Sequence, residues 1–214
     1  MNRNKIVGYW LLVGVIMLII QVLLGGITRL TGSGVSITEW KPILGTIPPL
    51  NEQDWQKAFL LYQEKTGQYK YLNQDFTLSN FKFIYFWEWM HRNWARFISV
   101  VFLIPFIFFV AQKYFTRSMI SKLVALFLLG AAQGLIGWIM VKSGLNDDNL
   151  YVSHIRLAVH FISALVLIGF TLWFALSLLI EEKHFVCNNS LKWLTGIIIL
   201  LLFAQLTYGA FMAG

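Results

Sequence analysis

The sequence predicts an all-α membrane protein with five transmembrane helices. Of its 214 residues, 57% are hydrophobic and only 13% are charged, whereas soluble domains carry about a quarter charged residues. Mean hydropathy is +0.64. Five apolar runs, at 7–27, 83–111, 122–142, 152–180 and 193–213, each reach the roughly 20 residues that cross a hydrocarbon core.

The first run is too long and too weakly flanked for a cleaved leader. Gly25-Gly26-Ile27-Thr28-Arg29 follows it instead of a small-residue cleavage site, so a retained helix is expected. Residues 28–82 then form a long loop containing Pro42, Pro48 and Pro49 and one amphipathic segment, NEQDWQKAFLLYQ. Asn51 is placed to cap that helix, and Trp55, Phe59 and Tyr62 share a face suited to lie on a membrane. The second run contains Pro105, which is expected to kink it.

Cations set the orientation. Arg3 and Lys5 precede the first run, Lys113, Arg117 and Lys122 lie between the second and third, and Lys183 and Lys192 lie between the fourth and fifth. The opposite short loop has only Lys142. By the positive-inside rule the N-terminus is cytoplasmic and 28–82 is external. Topology accounts for the net charge of +7, and without a basic stripe the chain is not read as binding nucleic acid. The single Cys187 excludes an intrachain disulfide and a cysteine metal cluster, and it reads as a loop thiol.

Three runs carry Gln followed four residues later by Gly: Gln21/Gly25, Gln133/Gly137 and Gln205/Gly209. Glycines at such positions also serve plain close packing of helices. QVLLGGITRL resembles QLTYGAFMAG most. Residues 1–192 are therefore expected to be one repeat with its external loop. Residues 193–214 are then the first helix of a second repeat, in a protein of about eight spans.

Ionisable side chains at membrane depth are costly and usually face the interior of a helix bundle. His91 and His160 lie about nine and eight residues into the second and fourth runs, roughly 12–14 Å below the same end at 1.5 Å per residue. Two imidazoles at equal depth can clamp one haem iron from opposite faces. A polar pair bonded between helices without metal is the alternative. Arg156, one turn from His160, is placed to meet a haem propionate, and Trp87 and Trp94 are placed to flank the macrocycle. His154 sits about 120° around the helix from His160 and suits a propionate better than the iron. His184, beside Glu181, Glu182 and Lys183, reads as solvated. Glu88 either pairs with Arg92 at i, i+4 or, sharing a face with His91, handles protons at the haem edge.

GGITRLTGSGVSITEW, FIYFWEWMHRNWARF, QGLIGWIMVKSGL and VSHIRLAVHF, in that order, resemble the haem A synthase family, in particular the branch shared by proteobacteria and mitochondria. The resemblance spans essentially the whole chain. It implies a cytochrome oxidase assembly enzyme of eight spans in two pseudo-symmetric four-helix halves, set in the bacterial cytoplasmic or mitochondrial inner membrane. The reaction implied is oxidation of a ring methyl group of haem O to a formyl group, giving haem A. Glu88 would be catalytic, with His91 and His160 as iron ligands to haem O in the N-terminal half. The second half would hold haem b and its own histidine pair. Membrane lipid, haem O synthase and an electron acceptor are the implied partners. Spans six to eight and the loop cysteine pair of some relatives have no counterpart in this sequence. A b-type cytochrome or haem-carrying assembly factor without oxidation chemistry is the alternative function.

Overall fold

A computed structural model describes residues 3–39, 44–145, 150–181 and 188–213. Pro42, Lys183, His184 and Cys187 lie outside these residues. The described residues form helices without strands: α1 (Arg3–Leu30), a 3-10 turn (Leu44–Thr46), α2 (Glu52–Lys65), α3 (Gly67–Leu72), α4 (Leu78–Ala111), α5 (Arg117–Lys142), α6 (His154–Leu179) and α7 (Asn189–Ala213). Helices α1, α4, α5, α6 and α7 are long and apolar enough to cross a membrane; four of them contain their expected runs, and α6 begins two residues inside the run 152–180 and ends one residue short of it.

Local chemistry starts several of these helices. The Asn51 side chain accepts from the Asp54 N–H at 2.8 Å, and Thr116 accepts from Met119 at 3.3 Å. Thr77 and Asn80 form a reciprocal capping box that opens α4. Each cap satisfies backbone donors that the first helical turn leaves free.

Helix α1 packs between α4 and α6, and α6 also touches α5 and α7. Along the α1–α4 seam, side chains of one helix donate to carbonyls of the other. Trp10 bonds Val101 O at 3.1 Å, Trp94 bonds Met17 O at 2.9 Å and Gln21 bonds His91 O at 3.2 Å. The numbers rise on one helix as they fall on the other, so the pair is antiparallel. Pro105 has no N–H for the carbonyl four residues before it, which is that of Val101. The Trp10 indole takes up this orphaned acceptor.

At the end holding the N-terminus, four helices close over a common core. Val7 and Leu11 meet Phe109, Met119, Leu123, Leu126, Leu167, Phe174 and Ala175. Phe102 of α4 stacks on Phe127 of α5 with centroids 6.2 Å apart. In a membrane such packing stabilises through dispersion, because lipid is as apolar as the side chains. The outer faces present Ile16, Leu23, Ile104, Ile107 and Leu200, which suits a lipid surround.

The loop helix differs from expectation in what its apolar face meets. Phe59 and Tyr62 are buried against Phe81 and Ile84, and Trp55 lies edge-on to Tyr85 at 5.0 Å. The cause is the early start of α4 at Leu78, five residues before the apolar run. Those extra turns offer an aromatic surface that α2 covers, so the face closes on protein instead of lipid. The Tyr62 hydroxyl donates to Gln68 Oε1 at 3.1 Å and accepts from Asn73 Nδ2 at 2.9 Å.

Burial pushes the Tyr62 phenol up from 10.0 to about 12. A raised folded value means that the fold favours the neutral phenol. That stability is fully present below pH 10 and is lost as pH rises toward 12. Proteolysis of the loop in detergent is therefore expected to accelerate between about pH 10 and 12, and Tyr62→Phe should remove that step. A digestion rate equally pH-dependent in both proteins would refute the assignment to Tyr62.

Candidate functional site

Two histidines inside the spans are each set against a glycine of a neighbouring helix. A Cβ added to Gly25 of α1 would lie 3.2 Å from His91 Cε1, and one added to Gly137 of α5 would lie 2.9 Å from His160 Cε1. Gly25 stands five residues before the end of α1 at Leu30, and Gly137 five before the end of α5 at Lys142. Each imidazole thus lies about 7–8 Å below the loop end of its neighbouring helix at 1.5 Å per residue. Counting along α4 and α6 alone would not show this, since α4 extends well beyond its apolar run.

Both histidines receive a glutamine at their own backbone. Gln21 Nε2 donates to His91 O at 3.2 Å, and Gln133 Nε2 donates to His160 O at 2.7 Å. The sequence marked these glutamines as a repeat without showing what they touch. Gly209, third in that series, has open space where a Cβ would go.

Glu88 is only 2% exposed. Its carboxylate accepts from Arg92 Nη2 at 2.5 Å, from the Ser36 hydroxyl at 2.7 Å and from the Ile37 N–H at 2.8 Å. The i, i+4 pair with Arg92 forms, and the loop after α1 supplies the other two donors. That loop turns at Gly32, whose φ of +64° is the left-handed region that favours glycine. The Gly32 carbonyl accepts from Gln68 Nε2 at 2.9 Å, which ties the turn to the α2–α3 cap. Ser36 and Ile37 are 52 and 51 residues from Glu88 in sequence, and no local pattern points to them.

The remaining candidates lie around this centre. Trp94 flanks His91 by one turn and is fixed through its indole N–H to Met17 O. The Trp87 indole N–H is buried with no hydrogen-bond partner among the described residues. Arg156 is exposed at the loop end, and its Nη1 donates to Ile139 O at 3.0 Å. His154 opens α6, exposed, with its ring edge-on to Phe211 of α7 at 6.3 Å. Arg29, passed over in the sequence, ends the Gln21–Gly25 stripe of α1 and stacks on the Tyr151 ring at 5.0 Å. No cluster of three or more His, Cys, Asp or Glu able to hold a bare metal ion occurs among the described residues.

Fold and site together define a multi-pass helical membrane protein with paired intramembrane histidines and a buried carboxylate beside one of them. The chain belongs to the cytochrome oxidase assembly protein family, whose pattern it matches over residues 8–214. It is 45% identical over 216 residues to a heme A synthase of Maricaulis maris and 45% identical over 215 to that of Flavobacterium johnsoniae. Each alignment covers 100% of this chain and 62% of the relative. A heme A synthase of Parvibaculum lavamentivorans is 44% identical over 212 residues, covering 96% of this chain and 59% of the relative. The chain thus spans about three fifths of the length of these curated relatives. No solved structure matches it.

Proposed function

We propose that this chain forms the substrate-holding part of a haem A synthase, an oxidoreductase that converts a ring methyl group of haem O to a formyl group. The observation that carries this reading is the pair of histidines, each seated on a glycine five residues before the end of the neighbouring helix. Buried polar atoms are normally bonded, and exceptions ask for an explanation. His160 Nδ1 and Trp87 Nε1 are both buried without a partner among the described residues. Both fit a flat, iron-bearing ring, as do the two glycines that keep the space beside the imidazoles narrow.

In this reading haem O is the substrate, and its iron supplies the redox chemistry when bound. His91 and His160 hold the iron. Trp87 and Trp94 border the ring, and Arg156 and His154 meet its propionates at the loop end, where carboxylates stay partly hydrated. Conversion of the methyl group to a formyl group takes its oxygen from water and releases protons together with the electrons, so a proton acceptor is required. Glu88 is the buried carboxylate nearest in sequence to a ligand, and the Ser36 hydroxyl on Oε2 gives it an outlet toward the loop. Electrons pass to an acceptor outside this chain, and haem O synthase supplies the substrate. The loop end is the external one, with the N-terminus cytoplasmic.

A second reading is a haem-carrying assembly factor or b-type cytochrome. The occupied state of Glu88 favours it, since a purely structural carboxylate would be bonded in the same way. Pigment identity separates the two. The whole protein would be expressed in a host that makes haem O but lacks its own haem A synthase, and the haem extracted from its membranes identified. Haem A supports the oxidoreductase, whereas haem O or B alone refutes it. Arg156→Leu is expected to weaken haem retention several-fold, measured as haem per polypeptide after purification. Unchanged retention would remove Arg156 from the site.

A further inference from the structure

One cation at the loop end of the spans has no role in the assignments above. Arg29 is half-buried in the last turn of α1. Gln21, Gly25 and Arg29 stand at i, i+4 and i+8 of that helix and share a face. Gly25 seats the His91 ring, so Arg29 lies one turn, about 6 Å, from that seat toward the loop end. Arg156 holds the matching place on α6, one turn from His160 toward the same end. Each histidine thus has a guanidinium on its loop side.

Arg29 is held but not neutralised. Its Nε donates to Ala213 O of α7, and its guanidinium stacks on the Tyr151 ring at 5.0 Å. Its terminal nitrogens have no hydrogen-bond partner among the described residues, and no carboxylate there pairs with it. Beside it a cleft of about 30 Å³ opens between the turn after α1 and the segment before α6, lined among others by Thr28, Gly34, Gln68 and Tyr151. A water needs about 10–15 Å³ of such space, so the cleft takes two oxygen-sized spheres, the size of one carboxylate. Its lining has no acidic side chain and one cation, Arg29. A cation in the last turn also suits the helix dipole, but that use requires neither the aromatic shelf nor the cleft.

We propose that Arg29 and this cleft bind one haem propionate, across from the propionate that Arg156 meets, an inference that rests on the haem reading above. A haem carries two propionates on one edge, and in that reading the edge lies at the loop end. An arginine fork bonds a carboxylate through two parallel N–H donors. The Tyr151 ring and the bond to Ala213 fix the fork beforehand, so less side-chain freedom is lost on binding. Two such forks keep the ring from rotating in its own plane and hold the reacting methyl group at one depth.

The test uses the full protein in detergent, titrated with ferric protohaem and separately with its dimethyl ester, in which both propionates are uncharged. Protohaem shares the two propionates with haem O, so it reports on this site without any oxidation. Wild type is expected to bind the acid more tightly than the ester. Arg29→Gln is expected to weaken the acid about tenfold or more, the range of one hydrogen bond to a charged group, and to leave the ester unchanged. Should Arg29→Gln fail to fold, Arg29→Lys, which keeps the charge and loses the fork, should still weaken the acid and spare the ester. Equal weakening of acid and ester would make Arg29 a structural tie to α7 and overturn the proposal. So would an unchanged acid affinity, or a wild type that binds acid and ester alike. Each of these leaves the haem reading intact, whereas a wild type that takes up neither ligand would overturn both.

Discussion

Glu88→Gln is expected to lower conversion of haem O to haem A by roughly 10²–10⁴-fold, the range for a lost acid or base. The substitution is nearly isosteric, so haem retention should survive while haem O or a half-oxidised alcohol accumulates in the extracted pigment. The geometry calls for a control. Glu88 bonds Arg92, Ser36 and Ile37 at once, and removing one member of a buried ion pair costs about 3–5 kcal/mol through the charge left behind. Ser36→Ala loosens the same carboxylate without removing its charge. If Glu88 acts on protons, Glu88→Gln should lose orders of magnitude more turnover than Ser36→Ala, a gap beyond what its lower thermal stability explains. Normal haem A production by Glu88→Gln would leave Glu88 a purely structural role.

His160→Ala and His91→Ala are each expected to leave this chain with a weaker, high-spin haem. Either substitution removes one of two imidazoles that are seated alike, each against a glycine of the neighbouring helix. Absorption spectra check this, since bis-histidine haem is low-spin and singly ligated haem is not. Low-spin haem retained by either variant would remove that histidine from the iron. Haem binding unchanged in both would place the ligands elsewhere.

The spans were legible because hydropathy acts residue by residue: a run such as 152–180 needs no partner to be recognised. Helix α2 was legible from Asn51 and the spacing of Trp55, Phe59 and Tyr62. The same spacing misled about what they touch, since periodicity identifies an apolar face but not the surface that covers it. Helix α3 at Gly67–Leu72 is too short for any period to show. Within the site, His91, His160 and Glu88 stand out as polar residues in apolar surroundings, and Arg92 follows from the i, i+4 rule. Gln21, Gln133, Ser36 and Ile37 gain their significance only when distant segments meet. The glutamines left a trace as a repeat with glycine, whereas the backbone N–H of Ile37 left none.

The bond from Trp10 to the carbonyl of Val101 makes two distant positions historically dependent on each other. A proline at 105 strands an acceptor inside the hydrocarbon layer, where water cannot relieve it. Such a proline becomes tolerable once an indole already stands opposite. Thereafter the indole is locked in, since phenylalanine would fill the space but offer no donor. Drift at either position is thus contingent on the other, and loss of the proline has to come before loss of the tryptophan.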